Sequence, residues 1–346
     1  MHDLPPGLAE LGRRLQESLG TGEAEAAIAG WSAPRTPAFR VNLMRTDADT
    51  LARELAAAGI AATRHPLSPW SFTCAPEAAY ALKGSRAFHD GRLYVQSLPS
   101  QVPALLGEVS PDDACLDCTA APGGKTSLLA MRRGRGRLEQ PGNPPGKPSK
   151  IAHFDAIERS PIRHQLLKHN LTKLGCDWVR TWKSDSRSLP QAVRQRRYRH
   201  ILVDPPCTGS GTVVPADART WAHLAGRYDG YVAIKAQQQY GIAMSAAELL
   251  APGGSLIYST CSLDPEENEA VVDALLTARP ELSLIDATAP GPLIGGAVPA
   301  LAHWRGRDFH PELARTCLRL QPGAWGEGFF VAWLVSAGSS LPGTSR

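Results

Sequence analysis

Two cysteines stand in contexts that suit chemistry better than packing. Cys261 lies in the segment STCS at 259–262, directly after the apolar run 256–258, which is predicted to be a short buried strand. Asp264 and Pro265 then predict a helix start, with the carboxylate as N-cap and proline at the first helical position. The thiol should therefore lie in a crevice between strand and helix, where open α/β sheets bind ligands. Cys261 is a candidate nucleophile, although this stretch alone fits a buried cysteine that acts as a small hydrophobe equally well.

A second cysteine follows another predicted strand. The apolar residues 200–203 lead into the segment DPPC, so this strand ends in the carboxylate of Asp204 and the thiol of Cys207. A third predicted strand leads into the loop TAAPGGKT at 119–126, whose small residues let a ligand approach the backbone closely. Three strand ends of this kind predict one shared site.

The loop at 119–126 predicts a cofactor that contains adenosine but no phosphates. The dinucleotide pattern G-x-G-x-x-G is missing, and a Walker A loop would need glycine where the chain has Thr119. S-adenosylmethionine is the favoured cofactor. Glu158, at the end of the second predicted strand, is the candidate for the ribose hydroxyls, with Asp155 as its competitor, and Asp185 is placed to take the adenine amino group.

Length and composition predict a soluble, enzyme-sized protein. The chain has 346 residues, of which 43% are hydrophobic, enough for one large domain and a smaller one. We expect a cytoplasmic monomer without a membrane partner, because no apolar run approaches about 18 residues and the seven cysteines do not suggest a secreted disulfide framework. Cys115 and Cys118 form a CxxC pair without a second pair, so we predict packing residues and no metal.

Alternating strand and helix patterns predict an α/β fold with a doubly wound parallel sheet. Residues 1–33 read as helical, and 37–59 as a strand followed by a helix. We therefore predict an N-terminal helical and α+β subdomain at 1–95 that binds RNA, a catalytic domain at 96–335 and a disordered tail at 336–346. The core strands are expected at 114–117, 151–157, 179–182, 200–203 and 256–258, with two more near 317–320 and 328–335.

The positive charge is clustered, although the formal net charge is only +4. Such clusters attract phosphate backbones, which would suit an RNA partner, but a solvated surface explains each cluster equally well. The segment 132–150 is rich in glycine, proline and basic residues and is predicted to be a flexible basic excursion. The clusters are Arg132, Arg133, Arg135 and Arg137, and Arg194, Arg196, Arg197 and Arg199.

Taken together, these motifs resemble the Sun-type (RsmB-like) RNA cytosine-C5 methyltransferases. The resemblance rests on LDCTAAPGGKT at 116–126, DPPCTG at 204–209 and the STCS and PEEN segments within 259–268, and it extends over roughly 37–335. Three departures are mild: Thr119 stands where the family usually has Cys, Pro205 where Ala is common, and Glu158 where Asp is usual.

The resemblance implies a Rossmann-like methyltransferase sheet, S-adenosylmethionine as cofactor, and rRNA or tRNA as substrate. It implies that Glu158 binds the ribose, Asp185 the adenine, and that Asp204 faces both cofactor and base. The methionine end of the cofactor would be wrapped by Thr119, Ala120, Ala121, Pro122, Gly123, Gly124 and Lys125.

The chemistry of cytosine explains why two thiols are useful. C5 is a poor nucleophile, so a thiolate adds at C6 and pushes electron density to C5. Cys261 is the predicted nucleophile and Cys207 matches the family's release cysteine, while Lys125 could help to ionise the thiol and Asp204 could contact the ring edge near N3. Two alternatives are an amino-methyltransferase that uses Asp204-Pro205-Pro206, which explains neither thiol, and a non-catalytic, S-adenosylmethionine-binding ribosome-assembly or RNA-binding factor.

Overall fold

The computed structural model describes residues 4–138, 153–226 and 228–338. A central mixed sheet carries helices on both faces, and a smaller antiparallel sheet lies beside it. The helices are α1 Ala9–Leu19, α2 Thr21–Ser32, α3 Ala48–Ala57, α4 Ala79–Gly84, α5 Arg86–His89, α6 Leu98–Gln101, α7 Gly124–Leu138, α8 Pro161–Lys173, α9 Gln191–Arg194, α10 Tyr228–Ala247, α11 Glu269–Ala278, α12 Gly291–Ile294 and α13 Leu313–Thr316. The strands are β1 Ala38–Val41, β2 Ala62–Arg64, β3 Ser71–Cys74, β4 Leu93–Val95, β5 Cys115–Asp117, β6 Phe154–Glu158, β7 Arg180–Lys183, β8 Tyr198–Val203, β9 Leu250–Thr260, β10 Leu282–Ile285, β11 Ala297–Pro299, β12 His303–Trp304, β13 Arg307–Asp308, β14 Leu318–Leu320 and β15 Phe329–Ser336.

The central sheet has the order β11-β14-β15-β9-β8-β5-β6-β7. From β5 the chain moves outward through β6 and β7, then returns to the other side of β5 for β8 and β9. The order therefore reverses between β5 and β8, and in open α/β sheets the crevice at such a switch point is where ligands bind. The doubly wound α/β fold is confirmed.

The sequence pattern predicts a parallel sheet, but the observed sheet is mixed. Strands β7, β6, β5, β8 and β9 run parallel, whereas β15, β14, β11 and β10 join antiparallel. A short loop from β14 to β15 returns the chain in the opposite direction, which only an antiparallel pair allows. The catalytic candidates lie on the parallel half.

The two N-terminal helices pack on the loops of the central sheet. Leu11 and Leu15 of α1 and Trp31 of α2 share a core with Val213 and Leu263, which flank the two cysteine loops. The Trp31 indole Nε1 donates to a main-chain carbonyl of one of these loops, that of Ser210, at 3.0 Å. Helices α1 and α2 therefore support the candidate site directly.

The small sheet, ordered β2-β3-β1-β4, packs against α7 on another side of the site. Arg40 of β1 is fully buried and donates to the Gln96 side chain at 2.9 Å, the Gly124 carbonyl at 3.0 Å and the Ser127 hydroxyl at 2.6 Å. Residues 4–95, the part of this range that the structure describes, thus share their core clusters with the rest of the chain. The division near residue 95 and the RNA role of the N-terminal part stay predictions.

Three arginines of the predicted phosphate-binding clusters serve the protein interior. Arg132 donates to the carbonyls of residues 104, 106 and 107, and Arg133 is 1% exposed and donates to a carbonyl at 111. Arg196 forms an ion pair with the buried Asp155 at 2.6 Å. These three side chains make contacts within the protein, whereas Arg194, Arg197 and Arg199 are exposed.

The prediction of a flexible excursion at 132–150 is wrong for residues 132–138, because α7 continues through Leu138. The rest of the predicted excursion, residues 139–150, lies outside the described residues. Likewise β15 extends to Ser336, and 339–346 of the predicted tail lie outside them. Within the described ranges, no helix is long and apolar enough to cross a membrane.

Candidate active site

The predicted site residues meet at the switch point of the sheet, around two adjacent cavities. The larger cavity, of about 410 Å³, is lined by residues that include Thr119, Glu158, Asp185, Asp204, Cys207 and Cys261. The smaller, of about 200 Å³, is lined by residues that include Ala120, Ala121, Pro122, Gly124, Lys125 and again Thr119 and Asp204. Of the predicted cofactor residues, Gly123 lines neither cavity.

The two thiols face each other across neighbouring parallel strands. The register of β8 against β9 places Val203 beside Tyr258, so the loops that follow the two strands run side by side. Both cysteines are free and partly exposed, and their Sγ atoms are 3.3 Å apart. The hydrogen bond with the Cys261 sulfur, burial and nearby carboxylates raise the pKa of the Cys207 thiol well above its usual value. Cys207 is therefore a neutral thiol that can donate its hydrogen to a Cys261 thiolate.

An ion pair links the cofactor loop to the loop that carries Cys207. The Lys125 ammonium donates to Asp204 Oδ2 at 2.8 Å and to the Ser100 hydroxyl at 3.1 Å. Burial is the largest effect and opposes the charge on Lys125, but Asp204, Cys261 and Glu327 together outweigh burial and raise the pKa of the lysine. Asp204 Oδ1 also accepts from the Ser259 hydroxyl at 3.0 Å. Lys125 is thus a fixed positive charge beside the thiols, and it is too basic to act as a proton acceptor.

The residues after Cys261 differ from the prediction. Asp264 does not cap a helix: residues 265–268 form turns, and α11 begins at Glu269. The Asp264 carboxylate instead accepts from the hydroxyls of Ser210, at 3.0 Å, and Tyr228, at 2.5 Å. These tertiary hydrogen bonds orient the Asp264 carboxylate toward Ser210 and Tyr228, so it does not cap a helix. A helix dipole starting at Pro265 is therefore not available to ionise Cys261.

Two buried charges in this region were missed by sequence reasoning. Arg14 of α1 is 4% exposed and pairs with Asp264 at 3.2 Å and with Glu266 at 2.9 Å. Glu267 is fully buried; burial and the neighbouring Asp264 raise its pKa to about 7, while hydrogen bonds hold it down. The family resemblance included Glu267, but nothing in the local pattern indicates its burial, and nothing at Arg14 indicates a partner 250 residues away.

The carboxylates on the cofactor side have exposed partners. Glu158 is buried, and its Oε1 accepts from the Ser160 main-chain nitrogen at 2.7 Å, while Arg163 lies 3.8 Å from Oε2. Asp185 is held by the exposed Arg187, which donates to it from three nitrogens at 2.7 to 3.1 Å. Hydrogen bonds from Arg187 lower the pKa of Asp185 to about 2, against the effect of burial.

Asp155, the competitor of Glu158, is occupied elsewhere. It is fully buried, lines neither cavity, and accepts from Trp182 Nε1 at 2.7 Å, Arg196 at 2.6 Å and the Tyr198 hydroxyl at 2.8 Å. All three of these donors are side chains of the protein. Glu158 is therefore the acidic residue of β6 that a ligand can reach.

The residues fit S-adenosylmethionine. The larger cavity is within the range of about 300–1,000 Å³ that is usual for small-molecule sites, and Glu158 offers it a buried carboxylate that suits a diol. The two glycines also make room for protein side chains: a Cβ at Gly123 would lie 3.2 Å from Leu167, and one at Gly124 would lie 3.1 Å from Tyr94. Gly123 also has φ +108°, which favours glycine.

The sheet order and the loops at its switch point define a Rossmann-like methyltransferase fold. The structure of a methyltransferase homolog protein from Pyrococcus horikoshii superimposes with a TM-score of 0.75 at 28% identity, covering 95% of this chain and 97% of that one. The chain belongs to the family described as 16S rRNA methyltransferase RsmB/F, which it matches over residues 104–335.

Two curated relatives show the range of this similarity. The ribosomal RNA small subunit methyltransferase F of Cronobacter sakazakii is 30% identical over 336 residues, or 95% of this chain and 63% of that protein. The tRNA (cytosine(72)-C(5))-methyltransferase of Pyrococcus horikoshii is 34% identical over 199 residues, or 57% of this chain and 44% of that protein. The chain thus matches 63% and 44% of the length of these two relatives.

Proposed function

We propose that this protein is an RNA cytosine-C5 methyltransferase that uses S-adenosylmethionine and acts on rRNA or tRNA. The observation that carries the proposal is the pair of thiols, 3.3 Å apart, beside the Asp204–Lys125 ion pair at the switch point of the sheet. The names of the relatives agree with it, since they describe enzymes that methylate rRNA or C5 of a tRNA cytosine. The cytoplasmic location and the monomeric state stay predictions.

Cys261 is the proposed nucleophile. Its thiolate adds to C6 of the cytosine, and the electron pair of the C5–C6 double bond makes C5 nucleophilic toward a methyl group. The fixed charge of Lys125 and a hydrogen bond from the neutral Cys207 thiol stabilise the thiolate. We assign Asp204 to the ring edge near N3, because it lines both cavities.

Cys207 is assigned to the release step. After methylation the C5 proton passes to water, the electron pair of the C5–H bond restores the C5–C6 double bond, and the C6–S bond breaks with its electron pair on the Cys261 sulfur. The departing sulfur is that of Cys261, and Cys207 Sγ lies 3.3 Å from it. A hydrogen bond from the neutral Cys207 thiol stabilises the leaving thiolate, so the covalent complex resolves.

S-adenosylmethionine supplies, when bound, the electrophilic methyl group. Glu158 would hold its ribose, Asp185 its adenine, and the loop from Thr119 to Lys125 its methionine end, as the cavities allow. The base has to leave its stack to reach this crevice, so a loop or locally opened RNA is the expected substrate.

The two other readings explain less of the geometry. An amino-methyltransferase would use Asp204 to orient an exocyclic amine, but it has no need of two thiols in contact. A non-catalytic ribosome-assembly or RNA-binding factor that holds S-adenosylmethionine does not need the thiols beside its cofactor cavity, where Cys207 and Cys261 both lie.

The test is a methylation assay with separate rRNA and tRNA fractions from cells that lack the gene. The protein is mixed with methyl-labelled S-adenosylmethionine, and the RNA is digested and examined for 5-methylcytidine. We expect label in 5-methylcytidine in one fraction, and none with Cys261→Ala. Label in N4-methylcytidine would support the amino-methyltransferase, and cofactor binding without any transfer would support the non-catalytic factor.

A further inference from the structure

The buried carboxylate of Glu267 contacts both cysteine loops. Glu267 accepts from the Thr208 main-chain nitrogen at 3.0 Å and from the Thr208 hydroxyl at 2.5 Å. It also accepts from the Ser262 hydroxyl at 2.7 Å. Thr208 directly follows Cys207 and Ser262 directly follows Cys261, so each contact lies one residue from a thiol.

We propose that Glu267 is a positioning residue that sets the separation of the two thiols. This inference rests on the proposed function, because it concerns the roles of Cys207 and Cys261 in the reaction. The bond to the Thr208 nitrogen fixes the peptide group that joins Cys207 to Thr208, and with it the direction of the Cys207 side chain. The bond to Ser262 fixes the chain after Cys261 against the same carboxylate.

Glu267 is itself held from two further elements, which makes it a rigid reference point. Gln239 of α10 donates to the Glu267 carboxylate at 2.6 Å, and the Tyr258 hydroxyl of β9 donates to its main-chain carbonyl at 2.5 Å. With no exposure to solvent, the carboxylate has no water to replace a lost partner. A change in its reach must therefore be absorbed by the cysteine loops.

The geometry separates the effect of reach from the effect of charge. Glutamine keeps the length and one acceptor oxygen, which can still accept hydrogen bonds from Gln239 and the Thr208 nitrogen. Its amide nitrogen can donate to the hydroxyls of Thr208 and Ser262, because a hydroxyl can also accept. Aspartate keeps the charge, but it is shorter by one carbon–carbon bond, about 1.5 Å, and cannot reach both loops.

The first experiment compares Glu267→Asp and Glu267→Gln in steady-state methylation of the RNA fraction that the wild type methylates. We expect Glu267→Asp to lower kcat about 100-fold, the scale for a misplacement of about 1 Å, with little change in the KM for RNA or S-adenosylmethionine. The fraction of protein trapped covalently on RNA should rise, because Cys207 no longer reaches the departing sulfur. Glu267→Gln should stay within about 10-fold of wild type, by the same argument from geometry.

The matched control is Asp155→Asn, another fully buried carboxylate with three hydrogen-bond donors, which lines neither cavity. It should lower the melting temperature without raising the trapped fraction. A Glu267→Asp variant that is less stable but turns over normally per folded molecule would overturn the proposal. So would a Glu267→Gln variant that is more impaired than Glu267→Asp, because the charge of the side chain would then matter more than its reach.

A second measurement does not depend on methylation. Diamide oxidises two thiols to a disulfide and takes up their two hydrogens, and the five cysteines other than Cys207 and Cys261 are buried. We expect the disulfide between Cys207 and Cys261 to form at least about 10-fold more slowly in Glu267→Asp than in wild type or Glu267→Gln, since effective concentration falls steeply with misplacement. If the disulfide forms more slowly in Glu267→Asp but the wild type methylates no RNA, the positioning role is retained and the proposed function is rejected. Equal rates in all three proteins would reject the positioning role.

Discussion

The two sides of the site are built differently. On the thiol side, the loops after β8 and β9 are fixed by buried side chains, among them Glu267 and Asp264. On the cofactor side, the carboxylates of Glu158 and Asp185 face arginines that are themselves about half exposed, Arg163 and Arg187.

The difference indicates which half is organised before any ligand binds. Buried, fully bonded groups cost no reorganisation at the moment of reaction, which suits the side where bonds form and break. Exposed arginines can exchange one partner for another at small cost, because surface ion pairs contribute little. The site thus combines a fixed chemical centre with a cofactor edge that can change its partners.

The sharpest test of the fixed side is Cys261→Ala. Without this thiol no bond to C6 forms, so methyl transfer should fall by about 10⁶-fold, the scale for loss of a catalytic nucleophile. No covalent complex with RNA should appear on a denaturing gel. A trapped complex in this variant would mean that the roles of the two thiols are reversed.

Cys207→Ala should separate bond formation from release. The adduct can still form and be methylated, but the departing sulfur loses its hydrogen bond, so turnover should fall by about 10²- to 10⁴-fold, as for loss of a group that assists proton transfer. A slow-migrating protein–RNA band that requires Cys261 should accumulate. If neither cysteine substitution affects methylation, the thiols are packing residues and the cytosine-C5 mechanism is wrong.

On the cofactor side, Glu158→Ala should weaken S-adenosylmethionine binding by about 1–3 kcal/mol, the scale for a buried hydrogen-bond donor that loses its acceptor. Titration calorimetry measures this directly. Asp155→Asn is the control, and it should leave the affinity unchanged. Equal affinity in wild type and Glu158→Ala would remove the ribose role from Glu158.

The smallest expected effect is that of Arg187→Ala. Arg187 occupies the Asp185 carboxylate that is predicted to bind the adenine amino group. Its removal should strengthen cofactor binding by less than about 1 kcal/mol, because the pair is exposed and screened. The gain should shrink as salt is added, since salt screens the pair already in the wild type. A marked loss of affinity would show that Arg187 itself contacts the cofactor, and the contrast between the two sides would then weaken.

The strand ends of the site could be predicted because their signals are local. Apolar runs of four or so residues, each followed by small or reactive residues, predict both the parallel strands and their shared edge, and so they located Asp204, Cys207 and Cys261. The choice between Glu158 and Asp155 needed the structure. Both residues lie in β6, and only the hydrogen-bond partners of Asp155 show that its side chain faces the interior.

Other features were inaccessible because their causes lie far away in sequence. Asp264 and Pro265 have the local pattern of a helix start, yet partners on α1 and α10 determine what the Asp264 carboxylate does. In the same way, Arg132 and Arg133 look like surface charges until the carbonyls that they bind are known. Local propensity is a weak guide wherever tertiary contacts satisfy the polar group.

The pairing of Arg14 with Asp264 has a consequence for the order in which the chain can fold. The two residues are 250 positions apart, and both are almost completely buried. At a synthesis rate of about 5–20 residues per second, α1 would wait roughly 12 to 50 seconds for this partner to be made. Leu11 and Leu15 pack in one cluster with Val213, Leu224 and Leu263, so apart from α2 the partners of this apolar face are also made late. Docking of the N-terminal helices is therefore a late folding event, and the thiol centre reaches its final form only when the first and last parts of the site come together.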